Sequence, residues 1–241
     1  MPSLADVQRL LSAHRPGTRP YVIAITGSVA AGKSVLAGEL AAAVAAEPDR
    51  PVAEVVCTDG FLMDNARLEM LGLTQRKGFP ESYNREGFRA ALNAIRRGPA
   101  RFPGYSHVTY DIDPALARTF ATPDVLIVDG LGLETDLGVA DDGQPLINAL
   151  IYLDADEADL EAWFTTRFMG LWAAAEHDPT SFYARFRSMD EAAARAFAKL
   201  VWSGINLPNL RDHIIHARDR ADIVIRKGAG HEIASIGGRW G

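Results

Sequence analysis

The sequence has one cysteine, Cys57, so no disulfide can form within it and a reducing compartment suits it. It also lacks a basic excess. Its 25 Lys and Arg stand against 31 Asp and Glu, a net charge of −6. Nucleic-acid binders usually carry a basic surplus or stripe, so a nucleic-acid partner is not expected, although a local basic pocket for phosphate is still compatible. No uninterrupted apolar stretch reaches the length of a membrane span. The opening residues, Met-Pro-Ser-Leu-Ala-Asp, bring an early charge and no hydrophobic signal core. Repeats, low-complexity tracts and clear linkers are missing too. The expectation is a soluble, cytoplasmic chain with no membrane partner, folded as a single domain over residues 1–241. Cys57 lies in an apolar run and reads as a small buried hydrophobe.

What is present is a regular alternation. Tyr21 to Thr26 is apolar on both faces, as suits a strand covered on both sides in a parallel sheet. Val52 to Cys57, Asp124 to Val128, Ala149 to Leu153 and Ala221 to Ile225 look similar. Between them lie helical patterns. Residues 4–13 place Leu4, Val7, Leu10 and Leu11 at helical spacing; residues 34–46 are rich in Ala and Leu. Residues 85–97 put Phe88, Ala91, Leu92 and Ile95 on one face. Residues 156–176 open on Asp156, a good N-cap, and residues 189–203 form another Ala-rich helix. Strands alternating with helices predict right-handed βαβ units and an α/β sandwich of three layers, a mainly parallel central sheet with helices on both faces. Residues 62–83 and 102–122 are the long irregular stretches, where function often resides.

After the first strand comes Gly27-Ser28-Val29-Ala30-Ala31-Gly32-Lys33-Ser34, which fits the phosphate loop G-x-x-x-x-G-K-[ST] in its required strand-to-helix context. Glycines let backbone amides turn toward phosphate oxygens, and the helix N-terminus adds partial positive charge. Lys33 can reach the β- and γ-phosphates of ATP, and the Ser34 hydroxyl can ligate Mg²⁺. This predicts a P-loop nucleoside-triphosphatase-type fold. It does not name the acceptor.

Two acidic residues close strands. Asp59, in Thr58-Asp59-Gly60-Phe61, stands at the carboxyl end of the second run, the edge where open α/β sheets bind ligands. It can take the proton of an attacking hydroxyl, or it can cap the following turn. Asp129, in Val128-Asp129-Gly130, can hold Mg²⁺ directly or through water, or be the solvated end of a buried strand.

Beyond these motifs the sequence resembles the type I bacterial pantothenate kinases, of the same superfamily as uridine kinases and phosphoribulokinases. The resemblance runs from Tyr21 to His231. It rests on Thr58-Asp59-Gly60-Phe61-Leu62, on Gln75-Arg76-Lys77-Gly78-Phe79-Pro80-Glu81-Ser82-Tyr83, on Tyr105-Ser106-His107-Val108-Thr109-Tyr110-Asp111, on Arg167-Phe168 and on Ile205-Asn206-Leu207-Pro208-Asn209-Leu210. It implies ATP-dependent phosphorylation of the primary hydroxyl of pantothenate. Asp59 would be the base, Lys33 and Ser34 would serve ATP and Mg²⁺, and Arg167 would face the transferred phosphate. Tyr105, His107, Tyr110 and Asn206 would bond the acceptor, and His231 would lie near the adenine. Residues 156–204 and the two long loops would form the acceptor side and lid, and a homodimer is the implied assembly. Another small alcohol, a nucleoside or a sugar, is the alternative acceptor.

The sequence departs from that family at named places. Gly38 stands where many members carry an Arg that helps bind inhibitory coenzyme A, so strong feedback inhibition is not expected. Phe164 stands where the family often has Tyr, and Leu171 where it often has Phe. The family's Glu-Gly-Leu-Asn appears as Asp129-Gly130-Leu131-Gly132.

Overall fold

The structure is a computed structural model and describes residues 2–241. The strands are β1 (Tyr21–Gly27), β2 (Ala53–Cys57), β3 (Ala100–Phe102), β4 (Tyr105–Ser106), β5 (Asp111–Ile112), β6 (Arg118–Phe120), β7 (Val125–Asp129), β8 (Ala149–Asp154), β9 (Ile223–Lys227) and β10 (Ile233–Gly237). Six of them form the central sheet in the order β10-β9-β8-β1-β7-β2. All its pairings are parallel except β9 with β10. The five apolar runs of the sequence are its parallel strands. The sixth, antiparallel edge strand is an addition that the sequence pattern did not signal.

Every residue of β1, β7 and β8 is buried. Strands hidden on both faces need cover on both faces, which explains the lack of polar alternation in these runs. Ile23, Ile25, Ile127 and Ile151 are the bulk of this layer, each worth about 1.5–3 kcal/mol by its removal from water.

Helices α1 (Leu4–Ala13), α2 (Lys33–Ala45), α3 (Asn65–Met70), α4 (Arg85–Arg97), α5 (Glu157–Ala174) and α6 (Glu191–Val201) surround the sheet. Ser3 and Asp6 cap α1 reciprocally, Asn84 caps α4 through the Gly87 amide, and Asp190 caps α6 through the Ala193 amide. Asp156 sits at the N-cap position of α5 but accepts from Arg226 at 2.6 Å rather than capping. After α6 the backbone stays helical to Arg220, through two π turns at Trp202–Asn206 and Leu210–Ile214. Asn206-Leu207-Pro208 is therefore helical, not a turn. The wider π spacing and the start of a new helical turn at Leu207 accommodate a Pro that has no amide hydrogen to offer.

The two long irregular stretches carry short elements. The first holds α3 and two 3₁₀ turns; the second holds the β3·β6 and β4·β5 pairs. No helix among the described residues is long and apolar enough to cross a membrane.

Candidate active site

The carboxyl ends of β1, β2 and β7 open into one cleft of about 710 Å³. The phosphate loop enters it from β1. Gly27 has φ +140°, and a Cβ there would sit 2.5 Å from the Leu153 carbonyl oxygen, so only glycine lets β1 turn this close to β8. Gly32, at φ +90°, starts α2 and leaves its first amides free to face the cleft.

Lys33 folds back over its own loop. Its Nζ donates to the carbonyls of Gly27 (3.1 Å) and Ser28 (2.8 Å). Burial lowers its pKa to about 8, against the pull of Asp59 and Asp129, which favour the charged form. Ser34 Oγ donates to Asp129 Oδ2 at 2.5 Å. Asp129 is buried, and burial raises its pKa, while the Ser34 bond and Lys33 lower it. Asp59 lies on the 3₁₀ turn Thr58–Phe61 that leaves β2, and it too lines the cleft.

The far wall comes from elements distant in sequence. Arg167, Thr166 and Trp163 reach it from α5, His107 from the β4–β5 turn, and Lys227 and His231 from the β9–β10 hairpin. The hairpin is tied to α5. Arg226 donates to Asp154 (3.0 Å) and Asp156 (2.6 Å), and Trp163 Nε1 donates to the Ala229 carbonyl at 3.0 Å. Trp163 and His231 stack at 3.8 Å with 24° between their planes. Burial and the nearby Lys227 push the His231 pKa down.

The structure thus brings Lys33, Ser34, Asp59, Asp129, His107, Arg167 and His231 around one cavity, with Val29, Ala30 and Gly32 of the loop. Tyr105 and Tyr110 do not line it. They form an adjoining aromatic corner, with Tyr105 5.2 Å from His107 and 6.0 Å from Tyr110, and Tyr110 4.6 Å from Phe182. Asn206 also stands off the wall. Its Nδ2 is buried in the π turn without a hydrogen-bond partner.

Among the wall residues with no assigned part in the sequence reading are Trp163, Thr166, Lys227 and Cys57. Lys227 ends a parallel strand, and the strand-edge rule that found Asp59 would have found it had β9 been extended past Ile225. Cys57 is only half-buried and faces the cleft, so it is a wall residue rather than the core hydrophobe expected of it. Burial and the acids Asp59 and Asp129 push its thiol pKa up. Lys77 occupies the aromatic corner. Its Nζ donates to Asn65 Oδ1 and the Tyr110 carbonyl, both at 2.6 Å, and stands 4.7 Å from the Tyr110 ring centre.

Solved structures share this architecture. A Silicibacter sp. TM1040 protein described as a fructose transport system kinase is 27% identical, with TM-score 0.63 over 88% of this chain and 93% of that one. The D-glycerate 3-kinase of Cryptococcus neoformans var. grubii has TM-score 0.61 over 97% of each chain at 13% identity, a likeness of fold alone. No family model matches the chain. Curated relatives do. A pantothenate kinase of Xanthobacter autotrophicus is 42% identical over 232 residues, 93% of this chain and 72% of that protein. One of Leifsonia xyli subsp. xyli is 42% identical over 230 residues, 92% and 70% of the two chains. One of Rhizobium rhizogenes is 40% identical over 236 residues, 95% and 71%. With a phosphate loop in its required setting, acids closing the two neighbouring strands and this similarity along nearly the whole chain, the protein belongs to the pantothenate kinase family of P-loop kinases.

Proposed function

We propose that this chain transfers the γ-phosphoryl group of ATP to the primary hydroxyl of pantothenate. The observation that carries the reading is the convergence of Lys33, Asp59 and Arg167 on one cleft in a chain 40–42% identical to pantothenate kinases. The loop amides of residues 27–34 hold the β- and γ-phosphates, and Lys33 exchanges its two carbonyl partners for phosphate oxygens. The Trp163–His231 stack gives the nucleotide base a flat wall beside Lys227. Asp59 takes the proton of the attacking hydroxyl, a contribution of about 10²–10⁴-fold. Arg167 offsets the charge that grows on the transferred group.

Ser34 and Asp129 suit a magnesium ion. They are hard oxygen donors set side by side, and such an ion takes few protein ligands and keeps the rest of its shell as water and phosphate oxygen. Among the described residues no cluster of three or more His, Cys, Asp or Glu offers an all-protein cage. When bound, the ion neutralises charge on the β- and γ-phosphates. The acceptor lies toward His107, Tyr105, Tyr110 and Asn206. Pantothenate has a carboxylate, an amide and two hydroxyls, and the corner offers a lysine, a histidine and two phenols to meet them, with the unpaired Asn206 amide on the π turn after α6.

A sugar is the second reading, favoured by the likeness to the Silicibacter fructose transport system kinase. ADP release with Mg-ATP and pantothenate, fructose, uridine or no acceptor separates the two. Turnover that depends on pantothenate is expected. Turnover with fructose and none with pantothenate would overturn the acceptor.

A further inference from the structure

Directly behind Asp59 lies a buried contact that the catalytic roles above do not use. The chain leaves β2 through Thr58-Asp59-Gly60-Phe61, makes its long excursion, and comes back to the same place. Met63 N donates to the Ser82 carbonyl (2.8 Å), Leu62 bridges to Tyr83, and Asn84 N donates to the Phe61 carbonyl (2.7 Å). Tyr83 is thus the residue on which the acceptor-side loop closes, next to the turn that carries Asp59.

The Tyr83 ring also meets the loop beyond Asp129. A Cβ on Gly132 would stand 3.3 Å from the ring, and Gly132 has φ +74°. Two residues earlier, Gly130 makes room for Thr58: a Cβ there would fall on the Thr58 hydroxyl. Tyr83 and Thr58 therefore fill the gap between the β2 and β7 strand ends.

Both hydroxyls are buried. The Tyr83 and Thr58 hydroxyls face one another and neither makes a hydrogen bond of normal geometry with any group. The surroundings are acidic. Asp59, Glu134 and Cys57 lie near the phenol and, with burial, raise its pKa well above the usual value, so it stays a neutral donor. Arg85 approaches Glu134 at 3.9 Å and bonds Thr135, so the positive charge of this cluster is spent on the far side of Glu134. A buried hydroxyl without a partner is a net cost that phenylalanine would avoid, and such a group in a folded protein calls for a reason, a part in catalysis among them.

We propose that Tyr83 is a positioning residue for Asp59. With substrate bound, its hydroxyl donates to Thr58 Oγ1, and that bond holds the Thr58–Phe61 turn so that the Asp59 carboxylate meets the acceptor hydroxyl. The proposal rests on the kinase reading of this cleft but not on the identity of the acceptor.

The test uses the full-length enzyme with whichever acceptor of the panel the wild type turns over. Tyr83→Phe keeps the ring and its packing on Gly132. Its kcat is expected to fall about 10–100-fold, the range of a misplaced catalytic group. KM for Mg-ATP should stay within about twofold and the thermal midpoint should hold or rise, since a buried unpaired donor is gone. Thr58→Val should lose kcat similarly, Thr58→Ser should restore it, and the double variant should be no slower than the worse single one. A Tyr83→Phe enzyme with wild-type kcat would overturn the proposal. So would additive losses in the double variant, or a loss that follows a falling thermal midpoint with KM for ATP and acceptor rising together. A wild type active on another acceptor and silent on pantothenate would sink the substrate assignment alone, and the variant comparison would still decide the role of Tyr83.

Discussion

The two halves of the cleft are built by different means. On the nucleotide side, one strand, one loop and one helix in unbroken sequence make the phosphate cradle, and its ligands are largely backbone amides fixed by β1 and α2. On the proposed acceptor side, Lys77, His107, Arg167 and Asn206 come from four segments, and the candidate groups are side chains on loops and helices. The first half is set by local chain geometry and the second by tertiary packing. Their meeting line runs between Lys33 and Asp59 on one bank and Arg167 on the other.

Substitutions on the two banks should separate accordingly. The largest effect is expected from Arg167→Ala, which removes the far bank's positive charge from the transferred group. Turnover should fall about 10³-fold or more with ATP affinity little changed, as read from ADP formation beside nucleotide titration. Equal loss of ATP binding would place Arg167 on the nucleotide side instead. Asp59→Asn should cost about 10²–10⁴-fold in kcat and leave KM for ATP within a few-fold.

The pH dependence sharpens the comparison at Lys33. In the free enzyme its pKa is lowered to about 8 by burial, and bound phosphates raise it, so binding takes up a proton above that pH. KM for ATP should therefore be flat below about pH 8 and climb above it, by at most about tenfold per unit, while KM for the acceptor does not follow. A flat ATP profile to pH 9 would contradict the charge state assigned to Lys33. The smallest effect is expected at Phe164, which packs 6.0 Å from Trp202 and 6.4 Å from Phe168 on α5, the helix that carries Arg167. Phe164→Tyr adds back a hydroxyl and should lower KM for pantothenate by about two- to tenfold, the span of one net hydrogen bond, with ATP kinetics unmoved.

The same contrast decides how much could be read without a structure. The loop, its flanks and the carboxyl-end acids follow from spacing alone, because β1, β2 and β7 are apolar runs that stop where the chemistry starts. The helices at 4–13 and 85–97 fall where the periodicity puts them. The edge strand β10 does not announce itself. Ile233–Gly237 is short, half exposed and without clean alternation. The π turns on either side of the short segment Leu207–Asn209 have no sequence mark either. Tyr105, Tyr110 and Asn206 came from family resemblance. The structure sets all three off the cleft wall, the two tyrosines in a corner whose neighbours, such as Phe182 and Lys77, are distant in sequence, and Asn206 in the π turn after α6. The stacking of Trp163 on His231 depends on a hairpin more than sixty residues away.

The central claim is that Asp59 and Arg167, from opposite banks, serve one phosphoryl transfer, Asp59 at the acceptor hydroxyl and Arg167 at the transferred group. Single-turnover ADP formation by enzyme preloaded with Mg-ATP and mixed with pantothenate tests it most directly, with Asp59→Asn and Arg167→Ala run beside the wild type. A pantothenate-dependent burst in the wild type, slowed at least about 100-fold in each variant while both still bind ATP, is the predicted result. A burst of unchanged rate in either variant would contradict the account.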